Sequence, residues 1–263
     1  MSRIDELFAR TRAENRAALV GYLPAGFPDK ETSIAAIEAM IDGGVDLVEV
    51  GLPYSDPVMD GPVIQAAVSQ ALAAGTRVSD VFDVVRASAA RVPTVVMTSW
   101  NPVERFGVDK FAAALSGAGG SGLITPDITP DEASAWMDAS KAYGLDRIFL
   151  VAPSSTDARI AMTAEASSGF LYATAVMGVT GARASTSSAA PVLVERVRQV
   201  TDLAVGVGLG ISNGAQVAEV AKYADAVIVG SALVRCLMDA SSADAGVAAV
   251  RNLARELRAG TER

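Results

Sequence analysis

Histidine is absent from the 263 residues, and cysteine occurs once, at Cys236. Without an imidazole the chain cannot assemble a Ser-His or Cys-His nucleophile, or a histidine-ligated zinc. With one thiol it cannot close an internal disulfide or build a cysteine cluster around a metal. The stretch "SALVRCLMDA" reads as a helix face, which makes Cys236 a core thiol. Lysine is scarce, limited to Lys30, Lys110, Lys141 and Lys222. All four fall in polar or helix-like stretches, and none in an apolar strand that would desolvate a Schiff-base amine. Proton transfer is left to carboxylates, tyrosine or water. An excess of basic residues is also missing. The net charge is −8 and spread along the chain, which argues against a nucleic-acid partner. No apolar run reaches the ~20 residues of a membrane span. The opening "MSRIDELFARTRAEN" alternates apolar and charged residues at helical spacing and lacks the continuous apolar stretch of a signal peptide. These absences predict a soluble, cytoplasmic protein.

Apolar residues make up 51% of the chain, enough for a sizeable core. They cluster in eight short β-branched runs: 18–23, 46–51, 94–99, 122–125, 147–151, 170–174, 204–207 and 226–229. Between the runs lie segments with helical spacing, such as Ile34, Ile37, Met40 and Ile41. Strands apolar on both faces and separated by helices imply a parallel sheet covered by helices. Eight such units predict a (β/α)8 TIM barrel. The alternative is an open doubly wound sheet, but "GYLPAGFP" after the first run is not a dinucleotide turn. No linker or composition shift divides the chain, so residues 1–263 are expected to form a single domain. The small polar stretch "GARASTSSAAP" (181–191) reads as a long loop after the sixth strand.

Barrels of this kind carry their chemistry at the C-terminal ends of the strands. "VEVGLPYSDPVMDGP" supplies two carboxylates there. Glu49 lies near the end of the second strand, where partial burial would raise its pKa and make it a usable acid. Its bland alternative is a structural partner for an arginine. Asp60 precedes Gly61-Pro62 and an apolar helix, so on the residues alone it reads more readily as an N-cap than as a catalytic group. Three glycine clusters fall at the last strand ends: "MGVTG" (177–181), "GVGLGIS" (206–212) and "VGSAL" (229–233). Backbone N–H groups and helix N-termini in such loops bind phosphate. Tight turn geometry is the alternative.

"GGVDLVEVGLPYSDPVMDGPVIQAA" resembles the signature segment of the tryptophan synthase alpha subunit family. "YLPAGFP", "WNPVERFG", "LITPDITPDEA", "MGVTGAR", "GLGIS" and "VGSALV" are similar to that family's other blocks, in the same order and across essentially the whole chain. The resemblance implies a (β/α)8 barrel with an extra N-terminal helix near residues 4–15. It implies retro-aldol cleavage of indole-3-glycerol phosphate to indole and glyceraldehyde 3-phosphate, with no metal or cofactor. Glu49 would then move the proton at indole C3, and Asp60 would hold the indole N–H. Tyr22 and Tyr172 would flank the ring and Glu49. Gly181, Gly210, Gly230 and Ser231 would hold phosphate, and Thr180 would reach Asp60 from a closing loop. Asp56 and Pro57 would meet a tryptophan synthase beta subunit in an alpha2-beta2 heterotetramer. The chain departs from the family at Ala175-Val176-Met177, where a Ser is common, and at Leu209, where some members have Phe.

Three other readings compete. A sugar-phosphate isomerase or epimerase would share the glycines, but its metal-dependent forms need histidine. A non-catalytic regulatory subunit would not need Glu49 and Asp60. A stand-alone indole-releasing lyase would keep the chemistry and lack the partner.

Overall fold

The computed structural model describes residues 1–56, 59–174, 189–208 and 210–263. Pro57, Thr180, Gly181, positions 175–177 and Leu209 lie outside them. Nine strands form among the described residues: β1 (Ala18–Pro24), β2 (Leu47–Gly51), β3 (Thr94–Met97), β4 (Gly122–Ile124), β5 (Asp146–Ile148), β6 (Leu150–Val151), β7 (Phe170–Thr174), β8 (Ala204–Gly208) and β9 (Ala226–Val229). Every pairing between them is parallel, in the order β5-β4-β3-β2-β1-β9-β8-β7-β6. The two ends of that order are consecutive in the chain, so the sheet curls into a (β/α)8 barrel. The eight predicted runs become nine strands because the fifth breaks at Phe149. Its lower half stays in register with β4 and its upper half with β7. The Phe149 carbonyl accepts the Tyr172 N–H at 3.1 Å and bridges the break.

Twelve α-helices accompany the strands among the described residues. They are α1 (Arg3–Ala13), α2 (Lys30–Asp42), α3 (Pro62–Ala73), α4 (Val78–Ala89), α5 (Trp100–Phe106) and α6 (Val108–Gly117). The rest are α7 (Ser134–Tyr143), α8 (Asp157–Ala166), α9 (Ala189–Arg198), α10 (Gly214–Ala221), α11 (Ser231–Met238) and α12 (Ala243–Ala259). Residues 189–191, read above as the end of a loop, open α9 instead. Proline is tolerated there because a first-turn N–H has no partner within the helix.

The core has two parts, set by strand alternation. One face of each strand packs under the helices. The other faces the barrel axis, where Ala18, Val20, Leu47, Val95, Ile124, Ile148, Phe170, Ala204, Ala226 and Ile228 form a second cluster. Helix α1 closes the lower end with Ile4, Leu7 and Phe8, and Phe8 meets Phe170 edge-on at 5.9 Å. A capping box between Ser2 and Asp5 starts this helix, which ends two residues before the expected boundary.

A buried ion pair ties the lower ends of β1 and β2 together. Arg16 donates to both oxygens of Asp46 at 2.7 and 2.8 Å, and the Leu19 N–H donates to the same carboxylate at 2.9 Å. Each side chain is only 7% exposed. Removing one partner strands the other charge in the core. Asp46→Ala should therefore lower unfolding free energy by about 3–5 kcal/mol in urea titration, whereas an apolar replacement of both residues should recover most of it. Equal loss in the single and double variants would show that packing, not the stranded charge, sets the effect.

Candidate active site

The inward alternation of β2 runs Leu47, Glu49, Gly51, so Glu49 points along the axis above an apolar layer. It is 1% exposed, and its Oε2 has no hydrogen-bond partner among the described residues. No lysine or arginine pairs with it among those residues, so the structural ion-pair reading of Glu49 fails there. On β1 the same alternation runs Ala18, Val20, Tyr22, and Tyr22 is the register neighbour of Glu49. On β7 it runs Phe170, Tyr172, Thr174.

These side chains form one electrostatic unit. Burial, and then the charge of Asp60, push the Glu49 carboxyl up to about 8. At neutral pH Glu49 is thus mostly the neutral acid, the form able to donate a proton. Burial also raises Asp60, which is half-buried. Tyr22 is held well above the usual phenol value by burial and then by Asp60, Glu49 and Tyr172. Tyr172 is held up by burial and then by Glu49. Both phenols therefore remain protonated donors. The four residues come from three separate stretches of the sequence, and the fold brings them together.

Asp60 does not cap α3. The N-cap is Gly61, and no side chain bonds the first turn. The Asp60 backbone carbonyl instead accepts from Gln65 Nε2 at 2.7 Å. Its carboxyl faces a cleft shared with Tyr22, Leu52, Tyr54, Met59, Met97, Thr98, Ser99 and Pro126. Tyr54, Met97, Thr98 and Ser99 were not anticipated. The available signal was position, since each lies at or just after the C-terminal end of β2 or β3. Tyr54 donates to Asn101 Oδ1 at 3.3 Å, and Asp127 accepts the Trp100 N–H at 2.9 Å. These bonds tie the β2, β3 and β4 ends into one rim. Asp56 is exposed, with the Ser55 hydroxyl donating to it at 3.0 Å.

The glycine run after the seventh predicted strand divides into two uses. Gly206 and Gly208 lie within β8 and face inward. A Cβ on Gly206 would meet the Phe170 ring at 3.0 Å, and one on Gly208 would meet the Tyr172 hydroxyl at 2.5 Å. They make room for aromatic side chains. Only Gly210 is in the turn, with φ +69°, a conformation that strains any other residue. Gly230 is the N-cap of α11 and gives its first turn no side-chain cap. Ser231 follows, buried. A Cβ on Gly230 would lie 3.3 Å from the Tyr22 ring. The uncapped helix start and the carboxylate group are thus neighbours through Tyr22.

Fold and site define a (β/α)8-barrel enzyme with a carboxylate pair in its mouth. A family described as "Tryptophan synthase alpha chain" matches residues 8–262. The alpha chain of Salinispora arenicola is 63% identical over 261 residues, covering 99% of this chain and 98% of that one. The alpha chain of Acidothermus cellulolyticus is 60% identical over 264 residues, covering 100% and 98%. The solved Mycobacterium tuberculosis tryptophan synthase in space group F222 superposes with a TM-score of 0.94 at 56% identity, covering 100% and 99%. The chain belongs to the tryptophan synthase alpha chain family and is an enzyme subunit of that lyase.

The raised Glu49 pKa has a consequence for stability. The folded state holds the Glu49 proton up to about pH 8, while the unfolded chain releases it near the ordinary carboxyl value of 4.5. Folding is therefore progressively penalised as pH rises from 4.5 to 8. Glu49→Gln removes the titration. Its melting temperature should exceed that of the parent chain at pH 8 and match it more closely at pH 5. Calorimetry across that range checks this, and a parallel pH dependence in the two proteins would contradict the assignment.

Proposed function

We propose that this chain cleaves indole-3-glycerol phosphate into indole and glyceraldehyde 3-phosphate, using its own side chains without metal or cofactor. The bond to be broken joins indole C3 to a carbon bearing a hydroxyl. C3 is a poor leaving group until it is protonated. Glu49, neutral at pH 7, gives its proton to C3 and leaves a positive charge on the ring. Asp60 accepts a hydrogen bond from the ring N–H and stabilises that charge. Glu49, now a carboxylate, takes the proton of the glycerol hydroxyl. The C–C electrons return to the ring as the aldehyde forms, and Glu49 ends protonated. One group acts as acid and then as base, while the other stays ionised.

The observation that carries this reading is the buried Glu49 carboxyl with an unpartnered oxygen, raised to about 8 beside Asp60. Tyr22 and Tyr172 line the same space and would bracket the ring. Gly210, Gly230 and Ser231 would receive the phosphate, supported by the uncapped start of α11. The exposed Asp56 lies in the segment between β2 and α3 that would meet a beta subunit in an alpha2-beta2 assembly. Cytoplasmic tryptophan biosynthesis is the setting this implies.

The direct experiment measures indole release from indole-3-glycerol phosphate by the purified chain, with and without a tryptophan synthase beta subunit. Release is expected in both cases, and faster with the partner. Glu49→Gln should fold and lose at least 100-fold in kcat, since a positioned acid-base group contributes ~10²–10⁴-fold and this one acts twice. Retention of a tenth of the parent activity would remove Glu49 from the reaction. Ser231→Ala should weaken glycerol 3-phosphate binding several-fold in calorimetry and leave the melting temperature within a few degrees. Unchanged affinity would place the phosphate elsewhere.

A further inference from the structure

Two hydroxyls at neighbouring strand ends have no role in this scheme. Thr98 follows β3 and Thr125 follows β4, and the Thr98 N–H donates to the Ile124 carbonyl at 3.2 Å. Thr98 is 4% exposed and Thr125 is 1% exposed. Neither Oγ1 has a hydrogen-bond partner among the described residues. A buried hydroxyl without a partner is costly, and in a native structure it asks for an occupant. Thr98, unlike Thr125, lines the cleft that contains Asp60.

The substrate proposed above points to a partner for Thr98. The phosphate end is assigned to the ends of β8 and β9, which β1 and β2 separate from β3 in the sheet. The part of the substrate beside β2 and β3 is then the indole half. Its single polar group is the ring N–H, which Asp60 takes with one oxygen. Thr180, read above as reaching Asp60, lies outside the described residues; the Asp60 carboxylate, with about four acceptor sites on its two oxygens, is the charged acceptor on the wall that Thr98 shares.

We propose that Thr98 is a positioning residue for Asp60: in the substrate complex its hydroxyl donates to the Asp60 oxygen not used by the ring. This bond orients the carboxylate in the ring plane. It also favours the ionised form, offsetting the upward push of burial. The inference rests on the proposed cleavage reaction and adds to it a residue that acts through Asp60 without touching the reacting atoms.

The test compares Thr98→Val, which keeps the shape and removes the hydroxyl, with Thr98→Ser, which keeps the hydroxyl. Indole release is measured as a function of pH in the beta-subunit complex. Thr98→Val should lose about 10- to 100-fold in kcat, the span of a hydrogen bond to a charged group, with KM changed by about twofold at most. Losing the donor raises the Asp60 pKa in the substrate complex. The acid limb of kcat should therefore move to higher pH, while the acid limb of kcat/KM, which reports the free enzyme, should stay in place. Thr98→Ser should restore the kcat limb. Thr125→Val, off the cleft wall, should leave it unmoved. A Thr98→Val kcat within twofold of the parent, with an unshifted limb, overturns the proposal. Equal impairment in the Val and Ser variants overturns it too, because the methyl group rather than the hydroxyl would then matter. So does an equal shift in Thr125→Val. Should Thr98→Val be poorly folded, Thr98→Ser and Thr98→Cys replace the comparison, with the limb expected to move only in the cysteine variant. Absence of indole release by the parent chain would instead defeat the underlying reaction.

Discussion

A carboxyl group in a dry barrel with no cation beside it is tolerated near neutral pH mainly as the neutral acid. Among the described residues Glu49 has no cation beside it, and the upper half of the barrel is organised around it. The side chains closest to it in charge are Asp60 and two buried phenols, none of which can neutralise a carboxylate as a cation would. Several of the described cations are held by carboxylates elsewhere. Lys30, for example, is held by Asp80 and Asp83 on the helical shell, at 3.1 Å from each. A lysine or arginine reaching Glu49 would ionise it and remove the acid. The absence of histidine preserves the acid, since no imidazole competes for the proton.

Three residues before Glu49, the same segment presents the opposite solution. Asp46 has a bidentate arginine and a backbone N–H. The pair joins the lower ends of two strands and is closed off by its own partners. Among the described residues Glu49 is left with an unpartnered oxygen, near the C-terminal end of its strand. The contrast follows the general division of such barrels, with stability at the N-terminal ends of the strands and chemistry at the C-terminal ends. An apolar layer, from Val20 and Leu47 to Ile228, lies between the two ends.

Much of this was legible in the sequence, for physical reasons that differ by element. The strands were visible because each is buried on both faces and therefore reads as an unbroken apolar run. The break at Phe149 was not, since Ile148, Phe149, Leu150 and Val151 read as one apolar run and only pairing separates the halves. Glu49 stood out because a carboxylate within such a run has no cheap explanation. Asp60 pointed more to a cap, because an Asp just before a Gly-Pro helix start is an ordinary N-cap. The position of the true cap, Gly61, removes that reading. Gly206 and Gly208 were read as part of a phosphate turn because glycine in a sequence does not say whose side chain it admits. Tyr172 and Phe170 are the answer, and they arrive from another strand. Thr98 was silent for a related reason. A threonine after a strand is ordinary, and only burial without a partner makes it informative.

The separation of the two carboxylates also bears on how the proposed proton transfer avoids trapping itself. In the free site the Asp60 charge helps to keep the proton on Glu49. Donation to indole C3 would seem to work against that push, because it creates a second anion beside the first. It simultaneously creates a cation on the ring, hydrogen-bonded to Asp60. The site carries one net negative charge before the transfer and one after it. The ring cation offsets Asp60 as seen from Glu49, so the repulsion that raised the Glu49 pKa weakens at the moment the new carboxylate forms. When the bond breaks, the ring becomes neutral again and the repulsion returns, driving Glu49 to keep the proton taken from the glycerol hydroxyl. A fixed Asp60 anion thus biases Glu49 toward the acid at the start and at the end of the cycle, and relaxes that bias only while the cation exists. An apolar residue at position 60 would forfeit both halves of this arrangement, and a lysine there would ionise Glu49 before the substrate arrived.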